Sequence, residues 1–459
     1  MNRRALSLFL TFILILSLAC SPGQVGNYRD ALDGKPNGVL SGHEKSTVSF
    51  EDKTAEVLGH AERLIENNEK EGAVLDQRWY TLKRFGNHQD AIFSASEVIF
   101  YGGSENAVRT YSANRYTSII PLENDRDPGD IRLFIGKRAA QHDLIIVGQN
   151  GKEVALKTII RLLYLSKFVD DERKRKYGDK LRSFRKSLKV LMSSLGARQE
   201  FIGFFNKHAI SNPDAVMIGF IGDIRSLIRD EGIADPELYS DESLRVNWYT
   251  NASGMRVLLV SIDHNRIFSS RAGALIEAIF TVSPNTTPSV TFLGSGGAID
   301  EPGIVGKIVR PTVVINGDPF PAIRHRGVLV HLIRNRALEG VAIKTAHASV
   351  ESVVVETTQW AIKMKRDRIR TVDQELFHIV DAINSSANAR AVEVFAGILV
   401  TDNVSSNVEA NVDATLEHAE ETIARAAGAR REFFSHVLMK LGVLKRDRAT
   451  LPRRKEIAF

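Results

Sequence analysis

A single cysteine among 459 residues excludes any disulfide within the chain, so nothing in the fold is stapled covalently. An excess of one charge is missing too: 61 basic and 55 acidic side chains leave a net charge of +6, too mild for a dedicated nucleic-acid protein. No stretch interleaves aromatic and basic residues in the manner of an RNA-binding sheet. His325 and His347 stand without a second histidine or a cysteine at ligand spacing, so no metal and no cofactor is expected. The apolar run over residues 5–18 is too short for a comfortable transmembrane helix. What remains is ordinary globular composition, 43% apolar and 25% charged, long enough for two or three domains.

The first residues read as an address. Asn2, Arg3 and Arg4 supply a positive end, the apolar run follows, and Ala19 precedes Cys20, as in a secretory signal. Cys20 resembles the lipidated cysteine of a bacterial lipoprotein signal, with Ser17 where that signal usually has Leu. The resemblance implies a signal over 1–20 and attachment to a membrane of the bacterial cell envelope through lipidated Cys20. A plain secretory signal and an uncleaved anchor are the alternatives. Residues 21–49, rich in Gly, Ser, Asn and Pro, read as a flexible tether.

Residues 50–210 are expected to form an N-terminal α/β and helical domain of unassigned role. Ala55, Leu58, Ala61, Leu64 and Ile65 have helical spacing, and 97–101 and 143–147 read as short buried strands. After the second strand, Gly148 and Gly151 flank a turn into a helix through Val154, Leu156, Ile159, Ile160 and Leu163. Helix amides there can meet phosphate, but a P-loop needs a Lys-Ser pair that the turn lacks. Residues 164–208 read as one long helical region with a basic face that includes Arg173, Lys176, Arg182 and Lys189. A solvated face is the expectation, and contact with anionic lipid head groups the alternative.

Residues 211–445 repeat the α/β alternation. A strand over 216–221 leads into a turn at Gly222 and Asp223 and a helix from Ile224. Further strands are predicted at 246–250, 256–262 and 290–293, and the last runs into a Gly-rich turn, GSGGA, at 294–298. Alternation of this kind predicts a mixed, mostly parallel sheet flanked by helices, with its site at the strand C-terminal ends. Two acidic motifs stand a strand apart: VDQE at 372–375, opening an apolar helical run, and TDN at 401–403, closing a buried strand. A basic tail over 446–459 ends the chain.

From about 215 to 441 the order of blocks resembles the nucleoside phosphorylase and nucleosidase superfamily, which includes purine nucleoside phosphorylase and methylthioadenosine/adenosylhomocysteine nucleosidase. The blocks are SVTFLGSGGA at 289–298 with VGKIV at 305–309, TVDQE at 371–375, and ILVTD at 398–402. The resemblance implies cleavage of an N-glycosidic bond. Such cleavage builds positive charge on the ribose ring, as glycosidases do, and negative charge on the departing base. Glu375 then takes the place of the carboxylate that grips the ribose hydroxyls. Asp402 takes that of the acid meeting the base, and its pKa must lie above the ordinary value of about 3.9 for it to donate a proton. Burial at a strand end can raise it. Without the resemblance, Glu375 reads as a first-turn acid and Asp402 as a turn residue.

Several positions depart from the family pattern. Its nucleosidases carry a water-activating glutamate in the first helix, where only Asp223 can deputise. Its phosphorylases carry a phosphate grip that Gly222, Asp223 and Arg225 match with one residue missing, and an arginine where Phe292 stands. Ser295, beside Gly294, is a candidate phosphate or nucleophile contact, Gln374 replaces the methionine under the sugar, and Asp263 and His264 are candidate polar site residues. Base recognition is expected between 340 and 360, where Trp360 is read as core in preference to a stacking platform. Two functions follow: an exported enzyme that cleaves a purine or related nucleoside, water favoured over phosphate as co-substrate, or a degenerate envelope protein that binds a nucleoside or nucleobase. The family's homo-oligomers imply that a missing phosphate arginine can come from another subunit.

Overall fold

The first strand, β1 (Phe50–Asp52), and the helix after it, α1 (Thr54–Glu71), already show how the N-terminal half is built. Val57, Leu58, Ala61, Leu64 and Ile65 are buried along one stripe of α1, at the three-and-four spacing that lays a helix on a core. The computed structural model describes residues 49–72, 77–122, 131–139, 141–148, 151–230, 236–241, 244–251, 253–262, 267–317, 330–340, 342–350, 355–387, 389–404 and 419–444. Cys20, the signal and nearly all of the tether, Asp263, His264, His325 and the basic tail lie outside the described residues.

After α1 come α2 (Gln77–Phe85), α3 (Gln89–Ser94), β2 (Val98–Gly102), α4 (Glu105–Ser112), β3 (Ser118–Pro121), β4 (Ile131–Arg138), β5 (Gln141–Gly148), α5 (Lys152–Lys167), α6 (Asp171–Ser187), β6 (Leu188–Ser193) and α7 (Ala197–Lys207). The six strands form one sheet in the order β1-β6-β2-β5-β4-β3. The helical region expected over 164–208 is therefore interrupted by a strand. Leu188 and Val190 are buried while Lys189 between them is not, a period of two, and β6 pairs parallel to β2 and antiparallel to β1. Pairing with strands far away in sequence overrides the helical tendency of the flanks. The basic face of α6 is laced with acids: Lys176 meets Asp90 at 3.5 Å, Lys174 meets Asp171 at 3.2 Å, and Arg185 pairs with Glu62.

The second half contains β7 (Ala215–Gly219), α8 (Ile221–Asp230), β8 (Glu237–Ser240), β9 (Arg245–Thr250), β10 (Arg256–Ser261), α9 (Ser270–Thr281), β11 (Ser289–Ala298), β12 (Ile308–Asn316), β13 (Val330–Leu332), β14 (Lys344–Ser349), α10 (Thr358–Arg366), β15 (Ile369–Asp373), α11 (Leu376–Ser385), β16 (Val394–Asn403) and α12 (Ala419–Lys440). Its ten-stranded sheet runs β13-β12-β14-β15-β11-β7-β10-β9-β8, and β16 pairs with both β11 and β12. The strands β12, β14, β15, β11 and β16 thereby close a ring. Parallel pairs join β7 to β10 and β11, β11 to β16, and β14 to β12 and β15. The expected mixed, mostly parallel α/β architecture with flanking helices is present.

Two local expectations change. The segment 294–298 is the end of strand β11, paired along its length with β16, with an irregularity between Gly296 and Gly297. Its glycines serve close packing: a Cβ on Gly296 would lie 2.3 Å from the Val372 carbonyl oxygen, and one on Gly297 2.4 Å from the Val404 side chain. The turn after β7 comes earlier than expected. Gly219, at φ +145°, makes it against the Leu293 carbonyl, so Gly222 and Asp223 fall inside α8.

The described residues pack as one compact unit. One hydrophobic cluster runs from Leu64 of α1 and Leu156 of α5 through Trp360 and Met364 of α10 to Val372 and Val404. Polar ties cross the same junction. The Thr358 amide donates to the Gly72 carbonyl at 2.9 Å, and the Thr357 hydroxyl to Glu71 at 2.7 Å.

Candidate functional site

A cavity of about 320 Å³ opens where β7, β10, β15 and β16 end, beside the glycine stretch of β11. Strand ends gather there because the chain leaves the sheet at these points, which is where α/β folds usually place ligands. Glu375, Gln374, Gly294, Ser295 and Asp402 all line it.

The strand-to-helix turn that presents Glu375 is tied down by its neighbour Asp373. The Leu376 amide donates to the Asp373 carboxylate at 3.1 Å, the Ser349 hydroxyl donates to it as well, and Ser349 Oγ accepts from the Phe377 amide at 2.8 Å. His347 Nε2 lies 2.9 Å from the same carboxylate, and its Nδ1 is 2.9 Å from the Thr371 hydroxyl. Asp373 thus caps α11 and leaves Glu375, in the N-cap position, buried against the cavity.

Asp402 stands across the β11–β16 pair, in register with Gly297. Glycine there lets the two backbones meet while a carboxylate fills the space above them. The Thr401 hydroxyl donates to Asp402 Oδ1 at 3.1 Å. Asp402 is solvent-exposed at the cavity, yet the protein packed about its carboxyl desolvates it enough to raise it above the ordinary range, offset in part by the Thr401 hydrogen bond.

A further acid, Glu356, shares the cavity wall and is buried at 7% exposure. Burial, reinforced by the charge of Asp402, holds it well above the usual carboxylate range. The structure therefore brings together two neighbouring carboxyl groups that resist ionising together. Glu356 sits next to Thr357, whose hydroxyl caps α10 by accepting from the Trp360 amide at 3.0 Å. In sequence it looks like an acid beside a helix cap, and no spacing rule separates the two roles.

The first-helix residues lie apart. Gly222, Asp223 and Arg225 are not among the residues lining the cavity. Arg430 Nε of α12 donates to Asp223 at 2.7 Å, and its guanidinium lies 4.9 Å from the ring of Phe220, which does line the cavity. Phe292 is core at 1% exposure. Trp360 is core too, its indole N–H donating to the Gly317 carbonyl at 2.7 Å. Among the described residues, no three side chains of metal-ligand type converge.

No protein-family model matches the chain, and no curated protein matches it in sequence. Solved structures do. Methylthioadenosine phosphorylase from an antarctic soil metagenomic library shares 14% identity over 51% of this chain and 89% of its own, with a TM-score of 0.36. For the 5′-methylthioadenosine/S-adenosylhomocysteine nucleosidase of Helicobacter pylori the figures are 12%, 49%, 99% and 0.37, and for the futalosine hydrolase of the same organism 12%, 50%, 100% and 0.37. The chain is similar to nucleosidases and phosphorylases over half its length.

The cavity also holds residues that no motif announced. Lys157 and Arg161 reach it from α5, in the N-terminal half, while Ile262 and Phe268 give it an apolar side.

Proposed function

We propose that the chain cleaves the N-glycosidic bond of a nucleoside, of purine or related thio-nucleoside type, with water as the attacking group. The observation that carries this reading is the meeting of Glu375 and Asp402 on one cavity, with Glu356 beside Asp402. In this reading Glu375 accepts hydrogen bonds from the ribose hydroxyls and fixes the sugar. Both carboxyls of the Glu356–Asp402 pair are raised above the ordinary range; in this reading Asp402 delivers the pair's proton to the base as the glycosidic bond breaks, and the proton released by the attacking water returns to the pair. Ile262 and Phe268 offer the uncharged surface that a base or sugar ring packs on.

The test is release of free base from a panel of purine and pyrimidine nucleosides, followed by chromatography with the purified full chain in detergent. Base should appear with at least one nucleoside, and Asp402→Asn should slow it by about 10²-fold or more while folding is kept. Unchanged release in that variant removes Asp402 from its role. The engagement of Asp223 by Arg430 favours a second reading, a nucleoside-binding protein without turnover. A thermal shift with a nucleoside, together with no base released from any, would establish it. In either reading, lipidation at Cys20 would hold the protein at the cell envelope, which mass spectrometry of the N-terminal peptide checks.

A further inference from the structure

Glu356 differs from the other charged side chains of the cavity. Glu375, Lys157 and Arg161 are each engaged within the protein. Asp373 is held by Ser349, His347 and the Leu376 amide, and Asp402 by Thr401. Glu356, at 7% exposure, makes no hydrogen bond and no ion pair among the described residues. Its carboxyl is not sealed in the core, and the open space it meets is the cavity, beside Asp402.

The backbone that carries Glu356 is fixed on both sides. Val355 and Thr357 are buried, and the Thr357 amide donates to the Val355 carbonyl at 2.9 Å. The Thr357 hydroxyl caps α10 and ties it to Glu71 of α1, while Trp360, one turn on, is core. A carboxyl is thus held at the cavity wall from a rigid support without a hydrogen-bond partner, which is costly in either protonation state. In either state, too, one of its oxygens can accept an N–H. A ligand that brings an N–H to this point offsets the cost, and one that brings a C–H or an ether leaves the carboxyl unpaired. Buried polar groups select their ligands through this asymmetry.

We propose that Glu356 reads the edge of the ligand's base, so that the cavity selects purines carrying an N–H donor there, either an exocyclic 6-amine or a ring N1–H, over purines with neither. The identity of the ligand rests on the nucleoside reading; the selection is assigned to a residue outside the sequence blocks at 289–298, 371–375 and 398–402. Glu356 and its neighbour Asp402 then address one ring from adjacent points, and Ile262 and Phe268 supply the apolar surface for its face.

The test uses the full chain in detergent and two matched pairs of nucleosides, titrated by calorimetry. Adenosine is set against purine riboside, which lacks the 6-amine, and inosine against 6-methoxypurine riboside, which lacks the N1–H. In at least one pair the N–H-bearing member should bind tighter by about tenfold or more, and which pair does so identifies the donor. Glu356→Leu should bring the two members of that pair within about twofold, whereas Glu356→Gln, which keeps an acceptor oxygen, should retain part of the preference. Circular dichroism checks that each variant folds. A measurement on the wild type needs no variant: infrared difference spectra should show a carboxyl band that shifts with the N–H-bearing nucleoside and not with its partner. Equal binding within both pairs, or a preference that survives in folded Glu356→Leu, overturns the assignment. Loss of all four nucleosides alike in folded Glu356→Leu overturns it too, since it marks a structural role. Failure of catalysis is distinct. A Glu356-dependent preference with no base released leaves the assignment standing and removes the enzyme reading, base release equal within both pairs does the reverse, and no binding of any nucleoside removes both.

Discussion

Glu356 is the residue on which the chemistry of the cavity turns, and its neighbour Asp402 explains why. Desolvation raises both carboxyls, and the charge of Asp402 raises Glu356 further, so the two are harder to ionise together than free acids are. The sign of the pH effect follows. A carboxyl whose folded-state pKa is raised supports folding below the unfolded value of about 4.3 and loses that support as pH rises through the folded value. Glu356→Gln, which is neutral at all pH, should therefore melt at a temperature that falls less than the wild type's between about pH 5 and 8, measured by circular dichroism. Base release should decline over the same rise in pH as the shared proton is lost. Asp223→Asn is expected to leave base release within about twofold, because that carboxylate is held by Arg430 outside the cavity lining, and to weaken α12 docking by about 1 kcal/mol in urea unfolding. A large loss of turnover would return Asp223 to the role that its sequence position suggested.

At the scale of elements, the glycines of β11 separate what a sequence pattern says from why it says it. GSGGA reads as a turn because glycine is the default turn residue. In the fold these residues continue a strand, and the missing side chains let β15 and β16 approach on either side. Gly296→Ala should therefore destabilise the protein by about 1–3 kcal/mol in urea, since the added methyl meets the Val372 carbonyl and backbone does not yield cheaply. Strand β16 and the helix after VDQE were legible as elements: both are apolar runs with clear ends. Strand β6 was not, because Leu188 and Val190 show their alternation only over a few residues, between two helices, and its partners lie far away in sequence. The turn after β7 was displaced for a similar reason. Gly219 is one glycine among several until the Leu293 carbonyl is placed against it.

Across the whole molecule, the two sheets share a hydrophobic cluster and hold each other at the Gly72–Thr358 and Glu71–Thr357 contacts. A fragment of residues 211–459 would expose the faces of Trp360, Met364 and Val372 that α1 and α5 cover, and it should bind the dye ANS and unfold without a sharp transition. Trp360→Ala in the full chain should cost about 3–5 kcal/mol, since it empties a buried site and leaves the Gly317 carbonyl without its donor. The sequence by itself determined the alternation of strands and helices, the absence of disulfides, and the two acids at the ends of β15 and β16. These follow from local preferences and from periodicity, which neighbouring residues express on their own. Tertiary structure alone decided that Glu356 neighbours Asp402, that Asp223 belongs to Arg430, and that Lys157 and Arg161 reach a cavity formed mostly by the other half of the chain. Each of these joins residues tens to hundreds of positions apart. No local pattern encodes them, because the shared core sets such distances only when it forms.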